Sequence, residues 1–189
     1  MFPDSSPAAE IHAKILDTLP TLGLTHEPAS AVTAVRSQLL DLSAEDLIGH
    51  EVVARNLAES VRAGLLLRAG LDDDSHVVSQ SIETSDGSFW HGIMHRREPD
   101  YPNSKYWFRR VGDHPLFAQL AHTVKAEVAG SPLAEIVSSS NWNPMKLIDL
   151  CETCEHGPKK ELRRSLESLQ DREVTSLLDY CTRGALGAR

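Results

Sequence analysis

The sequence is poor in the features that mark several large protein classes. Cysteine occurs three times in 189 residues. An odd count in a chain of this size argues against a disulfide framework and for a reducing compartment, so the cytoplasm is the expected location. No apolar run approaches the ~20 residues needed to cross a bilayer. The opening Met1-Phe2-Pro3-Asp4-Ser5-Ser6 holds neither a basic residue nor an apolar stretch, so no secretory signal is expected there. Basic residues are also short: 19 Lys and Arg against 27 Asp and Glu leave a net charge of −8. Phosphate backbones demand the opposite balance, and nucleic acid is therefore not an expected partner. The glycine-rich phosphate loops and the Gly-x-Ser-x-Gly elbow are missing, which leaves nucleotide binding and serine-nucleophile chemistry without a local signature.

What remains is an ordinary globular composition, 41% hydrophobic and 24% charged, fitting one domain over residues 1–189. The periodicity is helical almost throughout. Ser6-Pro7 is a hydroxyl cap followed by a first-turn proline, and Ile11, Ile15, Leu16 and Leu19 follow at helical spacing. A second helix is expected from about Pro28, with Val32, Val35, Leu39 and Leu40 on one face. Ser43 with Asp46 has the form of a capping box, and Val52, Leu57, Val61 and Leu65 carry the period on to Gly70 without a proline. Asp72-Asp73-Asp74 suits the acidic first turn of another helix, and its spacing does not suit a calcium loop. Asp86-Gly87 is a hairpin signal, but Phe89, Gly92, Ile93 and Arg96 continue at helical spacing, so Thr84–Gly87 is read as a helix–helix loop. Further helices are expected over 89–98, 102–111, from Pro115 through Val124, over 144–154 and over 159–178. The fold class is all-α: an irregular array of about eight helices.

Within Phe89–Pro115, Gly92, Asp100-Tyr101, Ser104, Phe108, Val111 and Pro115 fall in an order that resembles a tetratricopeptide-type helix pair, with Pro99 replacing the turn glycine. The resemblance implies a helical-repeat-like middle to the array. The string from His91 to Glu98, with Asn103-Ser-Lys-Tyr-Trp-Phe-Arg, also resembles an uncharacterised bacterial family, which implies no activity.

The residues that carry chemistry concentrate between 76 and 114. Residues 88–114 hold five basic and three acidic side chains, so this window stands at +2 while the rest of the chain is at about −10. Two readings compete for it. In the first, the protein binds an anionic small molecule or peptide in an aromatic and basic pocket. Arg96, Lys105 and Arg109 would neutralise charge, Tyr106 or Trp107 would stack, Asn103 would orient, and His91 and His95 would line the pocket. In the second, a divalent metal, the one cofactor these residues suggest, is held by His91, His95 and Glu98. These three project from one helix face at spacings of four and three, with Glu98 a third ligand or a general base; in the enzyme so formed Arg96 or Lys105 would fix an anionic substrate, and no catalytic residue is assigned. His76 and His114 join that set if the helices pack as consecutive hairpins. Against both stands a plainer role, in which the histidines cap helix ends and bond Glu98 or Asp100 while the arginines pair with acidic neighbours. A protein–protein adaptor with an acidic partner is a third option. Cys151-Glu-Thr-Cys154-Glu-His156 lacks a second ligand pair for structural zinc, and buried cysteines acting as small hydrophobes are the commoner case.

Overall fold

The computed structural model describes residues 2–3, 5–18, 22–25, 35–155 and 160–188. Its order is α1 (Pro7–Thr18), α2 (Arg36–Asp41), α3 (Ala44–Ile48), α4 (Arg55–Arg68), α5 (Asp72–Gln80), α6 (Ser85–Arg97), α7 (Tyr101–Val111), α8 (Pro115–Val128), a 3₁₀ turn, β1 (Val137–Ser138), β2 (Asn141–Trp142), α9 (Pro144–Glu155) and α10 (Lys160–Ala185). The chain is thus an all-α array with one small antiparallel hairpin, Val137 opposite Trp142 and Ser138 opposite Asn141. No helix among the described residues is long and apolar enough to cross a membrane.

Local chemistry explains most boundaries. Ser43 caps α3 by accepting the Asp46 N–H at 3.0 Å. Gly70 follows α4 with φ of +73°, the left-handed position that ends many helices. Asp100 caps α7 through the Asn103 N–H at 3.3 Å, and Pro102 occupies its first turn.

Several expectations need correction. The long helix expected through residues 47–67 is two: α3 stops at Gly49 (φ +73°) and α4 starts only at Arg55. Thr84–Gly87 is not a loop. The Thr84 hydroxyl accepts the Gly87 N–H at 3.3 Å, so Asp86-Gly87 is the first turn of α6 rather than a connection. The strands were not expected, because two-residue strands carry no alternation to detect. Their turn residues Ser139 and Ser140 adopt positive φ without the glycine or asparagine that usually signals it. The helix expected from Pro28 begins in a stretch, residues 26–34, that lies outside the described residues, as do Leu19 and His156.

α6 is the axis of the array. Every residue from Asp86 to Arg97 is buried, with α4, α5 and α7 packed around it. Close approach is possible because two positions lack side chains. A Cβ on Gly64 of α4 would lie 2.5 Å from the Trp90 ring, and one on Gly92 would lie 2.8 Å from Phe108 of α7. The apolar core joins Leu57, Val61, Leu65, Phe89, Trp90, Ile93, Phe108, Leu169 and Leu177 among others into one cluster.

The two arginines at the end of α6 enter this core instead of leaving it. Arg96 Nε donates to Gln170 Oε1 at 3.0 Å, and Arg96 Nη2 pairs with Glu173 of α10, both side chains fully buried. Glu173 Oε1 also accepts the Trp142 indole N–H at 2.9 Å. Arg97 forks onto Asp72 of α5 (3.0 and 3.3 Å) and donates to the Gly23 carbonyl, which takes a further bond from Gln170 Nε2 at 2.9 Å. Burying a charge costs several kcal/mol unless it is paired and hydrogen-bonded, and here most of the donors meet partners.

Candidate metal centre

Three imidazoles converge where α5 meets α6. His91 and His95 stand four residues apart on α6 and therefore share a face, and α5 brings His76 against them. Ring centroids are 4.6 Å apart for His76 and His91, 5.3 Å for His76 and His95, and 4.8 Å for His91 and His95. One ring nitrogen from each lies within 4.8 Å of the others. His91 and His95 are buried and His76 is half-buried.

The surroundings set orientation and charge. The Ser79 hydroxyl lies 3.4 Å from His91 Nδ1. Asn103 Nδ2 is 3.1 Å from His95 Nε2 and 3.5 Å from Nδ1, while Glu98 Oε2 and Asp100 Oδ2 approach Nδ1 at 3.4 and 3.8 Å. The Trp107 indole covers His91, with ring centroids 4.0 Å apart and planes inclined by 33°. Burial pushes His91 down to about 3, helped by the neighbouring charges of His95 and His76. His95 is lowered by burial too, against the pull of Asp100. These two rings are neutral near pH 7, and a neutral imidazole has the free lone pair a metal requires. Glu98 is raised, first by desolvation, with Asp72, Asp73 and Asp100 adding to it and His76 opposing it.

The remaining site residues separate. His114 does not join the cluster. It caps α8, its Nδ1 accepting the Leu116 N–H at 3.2 Å and its Nε2 facing Asp86 Oδ1 at 3.2 Å, so both nitrogens are committed. Arg96 is no ligand-facing cation, because it is spent on Glu173 and Gln170 inside the core. Lys105 pairs with Asp149 at 2.8 Å and Glu152 at 3.5 Å across to α9. Tyr106 and Arg109 are exposed on the outer face of α7. Arg110, also exposed, lies over the Trp107 ring at 5.2 Å. Glu98 stands beside His95 rather than among the three nitrogens.

A cavity of about 700 Å³ opens at the end of α6, and its wall is mainly acidic: Asp72, Asp73, Glu98, Asp100 and Glu155 against Arg97 and Arg163. Arg97 is already matched by Asp72. None of the residues expected to line a basic pocket (His91, His95, Arg96, Asn103, Lys105, Tyr106, Trp107 and Arg109) lines this cavity. The Cys151 and Cys154 side chains face the core from α9, and burial holds the Cys151 thiol up at about 12, which makes it a poor thiolate.

Ser79 was not expected at the site, and Asp100 was expected only as a partner of the histidines or arginines. Their contacts with the imidazoles arise between helices, and only the short spacing from His76 to Ser79 hinted at one of them. No family model, curated protein or solved structure matches the chain.

Proposed function

We propose that the protein holds a divalent transition-metal ion through His76, His91 and His95, in a centre with an open coordination position. The observation that carries this reading is the convergence of three ring nitrogens within 4.8 Å of one another. Zn–N bonds of about 2.0–2.1 Å in a tetrahedral shell put ligand atoms roughly 3.3 Å apart, so the rings have to close in only modestly around an ion. Imidazole donors suit zinc, copper, nickel, cobalt and iron rather than magnesium or calcium. Three protein nitrogens with a free fourth position are the donor set of catalytic zinc sites, whereas structural sites are four-coordinate and closed. That distinction favours a metal-dependent reaction over a purely structural ion. The alternative of an anion-binding pocket has less support, because Arg96 is paired with buried Glu173 and Lys105 lies against the surface carboxylates Asp149 and Glu152.

The test is metal analysis of protein purified without chelator, followed by titration of the stripped chain with Zn²⁺ and Co²⁺. About one equivalent per chain is expected, with the affinity lost in the His76→Ala/His91→Ala/His95→Ala variant. Equal binding by the unmutated chain and the triple variant would remove the centre.

A further inference from the structure

The cavity at the end of α6 adjoins the imidazoles along two helices. α5 carries Asp72 and Asp73 four and three residues before His76, and α6 carries Glu98 three residues after His95, so these wall residues sit one turn from a histidine. Glu98 Oε2 and Asp100 Oδ2, which line the cavity, also come within 3.4 and 3.8 Å of His95 Nδ1. The cavity and the three-nitrogen cluster therefore share a wall. Approach from α7 is closed. Trp107 covers His91, and the Asn103 amide lies over the His95 ring, 3.1 and 3.5 Å from its two nitrogens. Buried Ser104 donates to the Gly92 carbonyl at 2.7 Å and fixes α7 in that place.

Size and charge decide what the cavity can hold. Its volume of about 700 Å³ falls within the roughly 300–1,000 Å³ of small-molecule sites. One water occupies about 30 Å³, so a passage for an ion alone needs far less. Of the two guanidiniums in the wall, Arg97 is held by Asp72, and Arg163 lies 3.6 Å from Glu167 on its own helix. Asp73, Glu98, Asp100 and Glu155 are left to set the sign, and all four are exposed. Carboxylates gathered around a concave space favour an organic cation and repel an anion.

We propose that this cavity is the substrate site of the three-histidine centre and that it takes a small organic cation, an amine or a guanidinium. The proposal rests on the metal reading and names what that centre would act on. The exposed side chains of Glu98 and Asp100 can turn aside for a guest, and their negative charge offsets the repulsion between that guest and a divalent ion.

Three four-carbon probes test this on the full chain: 1,4-diaminobutane (a dication), 1,4-butanediol (neutral) and succinate (a dianion). Calorimetry measures their affinity for the metal-free and Co²⁺-loaded chain, and the visible Co²⁺ absorption reports whether a guest perturbs the centre. Diaminobutane is expected to bind at least about tenfold tighter than butanediol and to shift the Co²⁺ bands, and succinate is expected not to bind. Asp73→Asn/Glu155→Gln changes two exposed side chains and should weaken diaminobutane binding about threefold to tenfold, with Co²⁺ affinity unchanged. Equal diaminobutane affinity in this variant, or butanediol or succinate binding as well as diaminobutane, overturns the cationic assignment. Diaminobutane binding that leaves the Co²⁺ spectrum untouched overturns the role as substrate site. A chain that takes up no Co²⁺ overturns the metal reading alone, and diaminobutane binding weakened in the double variant then still supports the cavity as a cation site.

Discussion

The Trp107 indole lies flat enough on the His91 imidazole, at 4.0 Å and 33°, to be the nearest reporter of anything bound there. Of the other two tryptophans, Trp90 is buried against Gly64 and Leu178, and Trp142 is hydrogen-bonded to Glu173. Binding of Cu²⁺, Ni²⁺ or Co²⁺ is expected to quench tryptophan emission in proportion to occupancy. Trp107→Phe should remove most of that quenching while leaving the stoichiometry intact. Undiminished quenching in Trp107→Phe would place the ion elsewhere.

Each imidazole is expected to matter individually. His76→Ala, His91→Ala and His95→Ala should each weaken Zn²⁺ binding by more than about 100-fold, beyond the range associated with outer-shell partners. His114→Ala should leave affinity unchanged, since one of its nitrogens caps α8 and the other faces Asp86 of α6. Calorimetric titration of the four variants checks both statements.

Acid should destabilise the metal-free protein, and His12 gives a clean case away from the centre. The residue is 8% exposed, its Nε2 has no hydrogen-bond partner, and burial with the nearby Arg68 lowers its pKa, against the pull of Asp171. The native state thus refuses a proton that the unfolded chain accepts below about pH 6.5. Stability contributed by the neutral ring is complete above that value and declines as pH falls toward the folded-state value. The slope is up to about 1.4 kcal/mol per pH unit. Urea unfolding between pH 7.5 and 5 should show a shallower decline in His12→Leu than in the parent.

At the α6–α7 crossing, Gly92→Ala puts a methyl group 2.8 Å from the Phe108 ring. Overpacking of this kind costs about 1–3 kcal/mol. Phe108→Leu in the same chain should recover part of the lost melting temperature, because it vacates the space the methyl group needs. A Gly92→Ala variant as stable as the parent would contradict the close crossing.

Removing Arg96 strands Glu173 in the core beside Trp142. Arg96→Met should cost about 3–5 kcal/mol. Adding Glu173→Gln removes the orphaned charge while keeping an acceptor for the indole, and it should return a substantial share of that loss. Chemical denaturation of the single and double variants measures the difference.

How much of this was legible in the sequence varies with the range of the interaction. Caps are local, so Ser43, Gly70, Gly112 and Pro115 marked helix ends correctly. The pairing of His91 with His95 followed from helical spacing alone. Recruitment of His76 depended on how α5 packs on α6, and spacing could supply it only as a condition. The burial of Arg96 and Arg97 was not legible, because a charged residue is exposed by default, and only tertiary contacts with Glu173 and Asp72 reverse that default. The same burial explains why α6 shows little amphipathic pattern: it has no wet face to leave polar.

The adjacent guanidiniums at the end of α6 pull in different directions, one toward α10 and the other toward α5, and both are tied through the Gly23 carbonyl, directly or by way of Gln170. A cylinder held by two such spokes cannot roll about its own axis without tearing both from low-dielectric surroundings. His95, the residue before Arg96, and His91, four residues further back, are consequently mounted on a fixed shaft. Any guest they receive has to be met by rotation of the rings themselves, and the backbone there should trace the same path whether the seat is empty or filled.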